Sequence, residues 1–241
     1  MIRFFDLHTH MLCGVDDGAG SQEEMFAMLE MAYADGTRAI CLTPHYSPYL
    51  FGDTWERSSK AFAILQEYVS KNHPDMRIFL GHELGYHRSC LDALNAGRCR
   101  SLAKSRYVLV DFPEGVDFFE IQSAMDLLQR SGYFPILAHT ERYHALYGRF
   151  RWIKEFVANG GIVQVNASSV TGVWGTKAKK QWIKLIKQGL VHIVSSDGHN
   201  VTSRPPQMSV CLPYLQKHCT EQQVCALVWG NAWQVVQDEP I

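Results

Sequence analysis

Chemistry first enters the chain in the segment FDLHTH, where Asp6, His8 and His10 recur at every second position. In an extended strand, residues two apart project to the same side. Ile2, Phe4, Asp6, His8 and His10 are therefore expected to form one row, apolar at its start and rich in ligand groups at its end. Buried imidazoles and carboxylates cost free energy unless something satisfies them, so a purely structural strand explains this spacing poorly. Similar groups close other short apolar runs. His45 ends RAICLTPH, Glu83 lies in RIFLGHEL, Asp111 in YVLVDF, His139 in FPILAHTE, and Asp197 with His199 in HIVSSDGH. The loop VDDG adds Asp16 and Asp17, while the run GIVQVNAS offers only Asn166 and Ser168.

Taken singly, each of these residues has a plainer reading. An Asp after a strand commonly caps the next helix, and an Asp pair before Gly makes a turn. His73, His144 and His218 are expected at or near the surface. His82 and Glu83 alternate sides, so only one can face a shared site, and His82 is read as structural. Coincidence accounts for one such strand ending far more easily than for six. A His/Asp/Glu set without Cys suits divalent ions that accept imidazole and carboxylate, such as Mn, Fe or Zn. Nine ligands are too many for one ion, so two or three ions are expected.

The elements that must position these groups follow from the pattern. Seven apolar or β-branched runs alternate with helical segments, which points to an α/β fold with a parallel sheet and crossover helices. Seven βα units suggest a barrel, in which functional groups gather at the C-terminal ends of the strands. The first helix is marked at both ends, by Ser21 with Glu24 three residues on and by Gly36. Further helices are expected over residues 55–72, 117–132, 149–161 and 177–189, with more helix in the tail. No fixed-period repeat, low-complexity tract or linker divides residues 1–241, so a single domain is expected.

Composition narrows the function. With 23 basic against 24 acidic residues and a net charge of −1, there is no electrostatic case for nucleic acid or an anionic membrane. No run is long and apolar enough to span a bilayer, and no secretion signal is evident. The seven cysteines are scattered without a C-x-x-C pair, which favours reduced thiols and a cytoplasmic location over a disulfide framework. Cys13, close to the histidine row, is either a reactive thiol or a small buried filler.

The motifs DLHTH, VDDG, TPH, HEL, AHTER and SDGHN, in this order, resemble the polymerase-and-histidinol-phosphatase (PHP) superfamily, from Asp6 to about Pro206. Within it, VDDG, HTERY and SSDGHN…RPP look most like the bacterial manganese-dependent tyrosine phosphatases of capsule and exopolysaccharide operons. The resemblance implies a distorted seven-stranded β/α barrel holding three metals, with Mn²⁺ first and Fe or Zn as alternatives. It assigns His8, His10, Glu83 and Asp197 to one metal. Glu83, shared, with Asp111 and His139 would hold a second, and Asp17, His45 and His199 a third. Relatives usually carry Glu where this chain has Asp111. Asp6 is expected behind the ligands, accepting a hydrogen bond from a liganding imidazole. Arg142 and Arg204 are implied as phosphate binders, a role that suits a planar guanidinium.

The expected reaction is hydrolysis of a phosphotyrosine by a metal-bound hydroxide, with no cysteine nucleophile. The implied substrate is the tyrosine-rich tail of a membrane-anchored bacterial tyrosine kinase. Hydrolysis of a small phosphomonoester such as histidinol phosphate, a nuclease activity, and a metal-stabilised module without turnover are the competing readings. The aromatic loop Tyr46–Trp55 forms either one wall of an aryl pocket or ordinary loop packing.

Overall fold

The computed structural model describes residues 2–241. Among the described residues, nine strands fall on the seven predicted runs or within one residue of them: β1 Phe4–Thr9, β2 Thr37–Leu42, β3 His45–Tyr46, β4 Arg77–Leu80, β5 Glu83–Gly85, β6 Tyr107–Asp111, β7 Phe134–Leu137, β8 Ile162–Asn166 and β9 Ile193–Ser195. Two runs are broken. Pro44, which lacks an N–H for a ladder, separates β2 from β3. Gly81 separates β4 from β5, where a Cβ would lie 2.7 Å from the Leu102 side chain. Strand pairing is parallel throughout, in the orders β1-β2-β4 and β3-β5-β6-β7-β8-β9. The far ends also meet: the Asp197 N–H donates to the His8 carbonyl (2.9 Å) and the His10 N–H to the Gly198 carbonyl (2.8 Å).

The helices are α1 Gln22–Asp35, α2 Pro48–Phe51, α3 Trp55–Asn72, α4 Cys90–Asn95, α5 Phe118–Arg130, α6 Phe150–Ala158, α7 Gly175–Lys187, α8 Leu212–His218, α9 Glu221–Cys225 and α10 Asn231–Val236. A π-helical turn, Ala226–Gly230, joins the last two. α1 shows how the sequence sets its own limits. The Ser21 hydroxyl accepts from the Glu24 N–H at 3.2 Å, and Gly36 ends the helix at φ 107°, a left-handed conformation that suits glycine. Met25, Met28, Leu29 and Ala32 recur at helical spacing and are buried. They pack with Ile40 and Leu42 of β2 and with Ala61, Leu65 and Val69 of α3. Ser21→Ala should cost about 1 kcal/mol by loss of the cap, read as a lower urea midpoint at unchanged slope.

Alternate strand positions feed opposite faces of the curled sheet. Val108, Val110, Leu137, Val163, Val165 and Val194 pack under the outer helices. Tyr107, Leu109, Ile136, Ile162 and Ile193 join Phe5 and Leu7 on the other face, closed off by Ala232, Val235 and Val236. This second cluster is an apolar layer beneath the strand ends. One expectation needs correction here. Ile2 and Phe4 belong to the outer core, not to a row continuous with His8 and His10. The register with β2 slips between Phe4 and Phe5 and again between Asp6 and Thr9, and such slips break strict two-residue alternation.

Candidate metal centre

All nine candidate ligands come together at the C-terminal ends of the strands. Glu83 stands at the centre, fully buried. Its Oε1 lies 3.2 Å from His8 Nε2 and 3.1 Å from His139 Nε2, and its Oε2 lies 3.2 Å from His10 Nε2 and 3.0 Å from His45 Nδ1. Three groups have ligand atoms within 4.8 Å of one another: His10, Asp17, His45 and His199; His8, His10 and Asp197; and His45, Glu83 and Asp111. His139 stands beside the last group, its Nε2 3.4 Å from Asp111 Oδ1. His8 Nε2 and His10 Nε2 are only 3.1 Å apart. At that separation both nitrogens can address one cation when both rings donate through Nδ1.

The other nitrogen of several rings is already engaged. His10 Nδ1 faces Asp16 Oδ2 at 2.8 Å, His8 Nδ1 faces the Gln164 side-chain oxygen at 3.3 Å, and His199 Nδ1 faces the Asp197 carbonyl at 2.9 Å. Donating through Nδ1 fixes each tautomer and presents Nε2 with its lone pair free, as a metal-binding imidazole requires. Asp197 is divided in the same way. Its Oδ1 faces His8 Nε2, His10 Nε2 and His199 Nδ1 at 3.4–3.6 Å. Its Oδ2 accepts from Arg204 (2.8 Å), Arg142 (3.2 Å) and Asn166 (2.8 Å). His139 and Asp197 both adopt positive φ, 30° and 56°, which is strained for non-glycine residues and concentrates at functional sites. The His139 N–H is held by the Gln164 side chain at 2.7 Å.

Electrostatics point the same way. Burial should raise the Glu83 carboxyl, yet His8 and His45 hold it well below the usual range. Asp197 is likewise held low by His8 and Arg204 against the penalty of burial. Asp16, buried but facing His10, is brought down to about 2. Burial and the neighbouring His10 push His199 down to about 2, so that ring is neutral. Asp111 moves up, through burial and the nearby Glu83. Against the opposing effect of burial, Glu83 and Asp197 raise His8, Asp16 raises His10 and Glu83 raises His45, so these carboxylates favour positive charge beside them, which bound cations would supply in place of protons.

The cavity above these groups has a volume of 440 Å³. Arg142 and Arg204 form one side, with Trp174 stacked against both at 4.1 and 5.4 Å from the ring centroid. Phe112, Tyr143 and Tyr147 supply further aromatic wall. The Tyr46–Trp55 loop is not that wall. Tyr46 is buried beside His82 and His87 and, with Pro48 and Trp55, lines a separate hollow. Only Phe51 approaches the centre, stacked on His45 at 5.3 Å. His82 is structural: its Nδ1 accepts from the Arg100 N–H at 3.0 Å, and burial beside Arg100 pushes it down to about 3.

The family model for capsular polysaccharide synthesis, CpsB/CapC, matches residues 4–237. The protein belongs to the CpsB/CapC family. It is similar to the tyrosine-protein phosphatase CpsB of Streptococcus pneumoniae, at 30% identity over 98% of this chain and 99% of the relative. The tyrosine-protein phosphatase YwqE of Bacillus subtilis is 29% identical over 88% and 84%. Among solved structures, that of the metal-dependent tyrosine phosphatases YwqE from Bacillus subtilis and CpsB from Streptococcus pneumoniae superimposes with a TM-score of 0.87, at 27% identity over 98% and 96%.

Within this family centre, Asp6 departs from its expected place. It accepts no imidazole hydrogen bond. Its carboxylate takes the Ser196 N–H (2.9 Å), the Ser196 hydroxyl and the His8 N–H (3.4 Å), and burial raises it to about 6. It ties β1 to the Asp197 turn, while Asp16 and Gln164 take the imidazole contacts. Gln164 escaped sequence reasoning, although Gln164 and Asn166 alternate as polar positions in an otherwise apolar strand. Glu141 also escaped it. Fully buried, it takes the Ser169 hydroxyl (2.5 Å) and the Asn166 N–H (3.1 Å), fastening the His139 turn to β8.

The loop bearing Asp16 and Asp17 depends on Gly18, where a Cβ would lie 1.7 Å from the His10 carbonyl oxygen. Backbone cannot yield as a flexible side chain can. Gly18→Ala should therefore destabilise the fold by about 1–3 kcal/mol, seen in urea denaturation. Activity should fall further than this loss of stability explains, because the loop carrying Asp17 is displaced.

Proposed function

We propose that this protein is a metal-dependent protein-tyrosine phosphatase. In this reading the centre formed by His8, His10, Asp17, His45, Glu83, Asp111, His139, Asp197 and His199 holds two or three divalent cations, Mn²⁺ foremost. It sits at the mouth of a distorted seven-stranded barrel within a single domain. The observation that carries the reading is the convergence of imidazoles and carboxylates around Glu83, beside two guanidiniums and an aromatic cavity. The donor set fits such ions, being all nitrogen and oxygen without thiolate. Bound there, divalent cations supply Lewis acidity and bring the pKa of water toward neutrality.

The chain's own groups do the rest. Arg142 and Arg204, anchored through Asp197 Oδ2 and stacked on Trp174, present planar donors suited to the non-bridging oxygens of a phosphate. They offset charge as it grows on those oxygens in the transition state. The aromatic side of the cavity receives the tyrosine ring. A tyrosinate of pKa about 10 leaves with little help from a general acid. Cys41 and Cys99 are buried with thiols pushed up by burial, and no cysteine lines the cavity.

The natural substrate in this reading is the phosphorylated tail of a membrane-anchored bacterial tyrosine kinase that governs capsule or exopolysaccharide synthesis, with the phosphatase itself working in the cytoplasm. No helix among the described residues is long and apolar enough to cross a membrane. The test is turnover of a phosphotyrosine peptide after treatment with a chelator or a thiol alkylator. Activity should vanish on chelation, return with Mn²⁺ and survive alkylation. Survival of chelation with loss on alkylation would refute the proposal.

A further inference from the structure

Helix α7 begins at the cavity, where Trp174 and Ala178 form part of the lining. It carries Lys177, Lys180, Lys184 and Lys187 exposed, and it contains no acidic residue. The spacing of three, four and three residues puts these lysines on one stripe, spanning about 15 Å at the helical rise. The chain as a whole has a net charge of −1, so the stripe is a local bias and not a reflection of a basic protein.

Nor does helix stability account for it. Lys184 and Lys187 lie in the last turn, where they complement the macrodipole, but Lys177 sits in the first turn, where acids are favoured, and Lys180 in the middle, where the dipole gives no reason for it. Like charges three and four residues apart repel. Other surface helices pair their charges: Lys60 with Glu56 and Lys71 with Glu67 in α3, and Arg151 with Glu155 in α6. Among the described residues, the four stripe lysines have no ion-pair partner. A locally unfavourable arrangement held beside a functional site suggests a ligand. Val173 and Trp174, an exposed apolar lip, join the stripe to the cavity.

We propose that the α7 stripe is a docking surface for an acidic peptide segment flanking the phosphotyrosine. Four lysines along about 15 Å match some four to five residues of extended chain at roughly 3.3 Å each. The cavity would select the phosphorylated ring, and the stripe would select substrates by the carboxylates beside it. This rests on the phosphatase reading above, and the experiment separates the two.

The full-length protein is assayed with Mn²⁺ on p-nitrophenyl phosphate and on two phosphotyrosine peptides that differ only in carrying Glu or Gln at the flanking positions. The wild type should turn over the Glu peptide about tenfold more efficiently at low salt, mainly through KM, with the advantage shrinking as salt rises. Lys180→Glu/Lys184→Glu should erase that preference and leave p-nitrophenyl phosphate turnover unchanged. Lys180→Arg/Lys184→Arg should keep it. Equal handling of both peptides by the wild type overturns docking while leaving the phosphatase reading intact. A wild type inactive on all three substrates overturns both. Equal losses on all substrates in the charge-reversed variant show damage to the cavity and overturn docking. So does binding to phosphatidylglycerol vesicles that the reversal abolishes without changing peptide preference, which would make the stripe a membrane-facing surface.

Discussion

Glu83→Gln should lower kcat/KM on a phosphotyrosine peptide by on the order of 10³-fold or more, about 4 kcal/mol of transition-state stabilisation. Metal content should fall by at least one equivalent. The reason is the position of this carboxylate. Its two oxygens face His8, His10, His45 and His139 at 3.0–3.2 Å, so it stands against at least one imidazole of each candidate ligand group. The amide keeps the shape but loses the charge, and it turns an NH₂ toward imidazole nitrogens that need their lone pairs for a cation. The fold should survive, because the substitution is nearly isosteric and relieves a fully buried anion. Elemental analysis with circular dichroism reads both outcomes. Full metal content with normal activity would show that Glu83 is not a ligand.

Arg142→Ala and Arg204→Ala should each reduce kcat/KM by about 10²-fold, by analogy with removing one donor to a developing negative charge. The double variant should lose less than the product of the two, because the guanidiniums share the Asp197 Oδ2 acceptor and the Trp174 face and neighbouring groups are not additive. Lysine at either position should recover only part of the loss, since a point charge cannot reproduce the planar fork. Inhibition by inorganic phosphate should weaken in parallel, whereas metal content should stay near wild type. A loss of metal equal to that in Glu83→Gln would instead mean that the arginines act by holding Asp197 in place.

The gathering of side chains around Glu83 is legible in the sequence because imidazoles and carboxylates are conspicuous at the ends of β-branched runs. His8, His10, Asp111 and His139 fall within two residues of the end of β1, β6 or β7, His45 and Glu83 open β3 and β5, and Asp197 and His199 follow β9. Groups that act through others were less visible. Glu141 has no distinctive spacing, Gln164 is marked only by its two-residue alternation with Asn166, and the three-dimensional contacts alone give both their partners. Asp6 is expected to support a histidine, but that role falls to Asp16, which the sequence marks only as part of a turn. A slip in the β1 register decided it by turning Asp6 toward Ser196. The aromatic loop after His45 offers either an aryl wall or ordinary loop packing from sequence, and packing is what forms. The wall is built instead from Phe112, Tyr143, Tyr147 and Trp174, which are distant along the chain. Helix boundaries were read well where caps were present, as at Ser21 and Gly36. The short helices α2 and α4 leave no such mark, because neither is long enough to show a period.

The most direct test is anomalous diffraction at the manganese edge from crystals grown with Mn²⁺. Two or three peaks should lie among His8, His10, His45, Glu83, Asp111, His139, Asp197 and His199, next to Arg142 and Arg204. Well-ordered side chains there without an anomalous peak, or peaks only elsewhere on the molecule, would contradict the account.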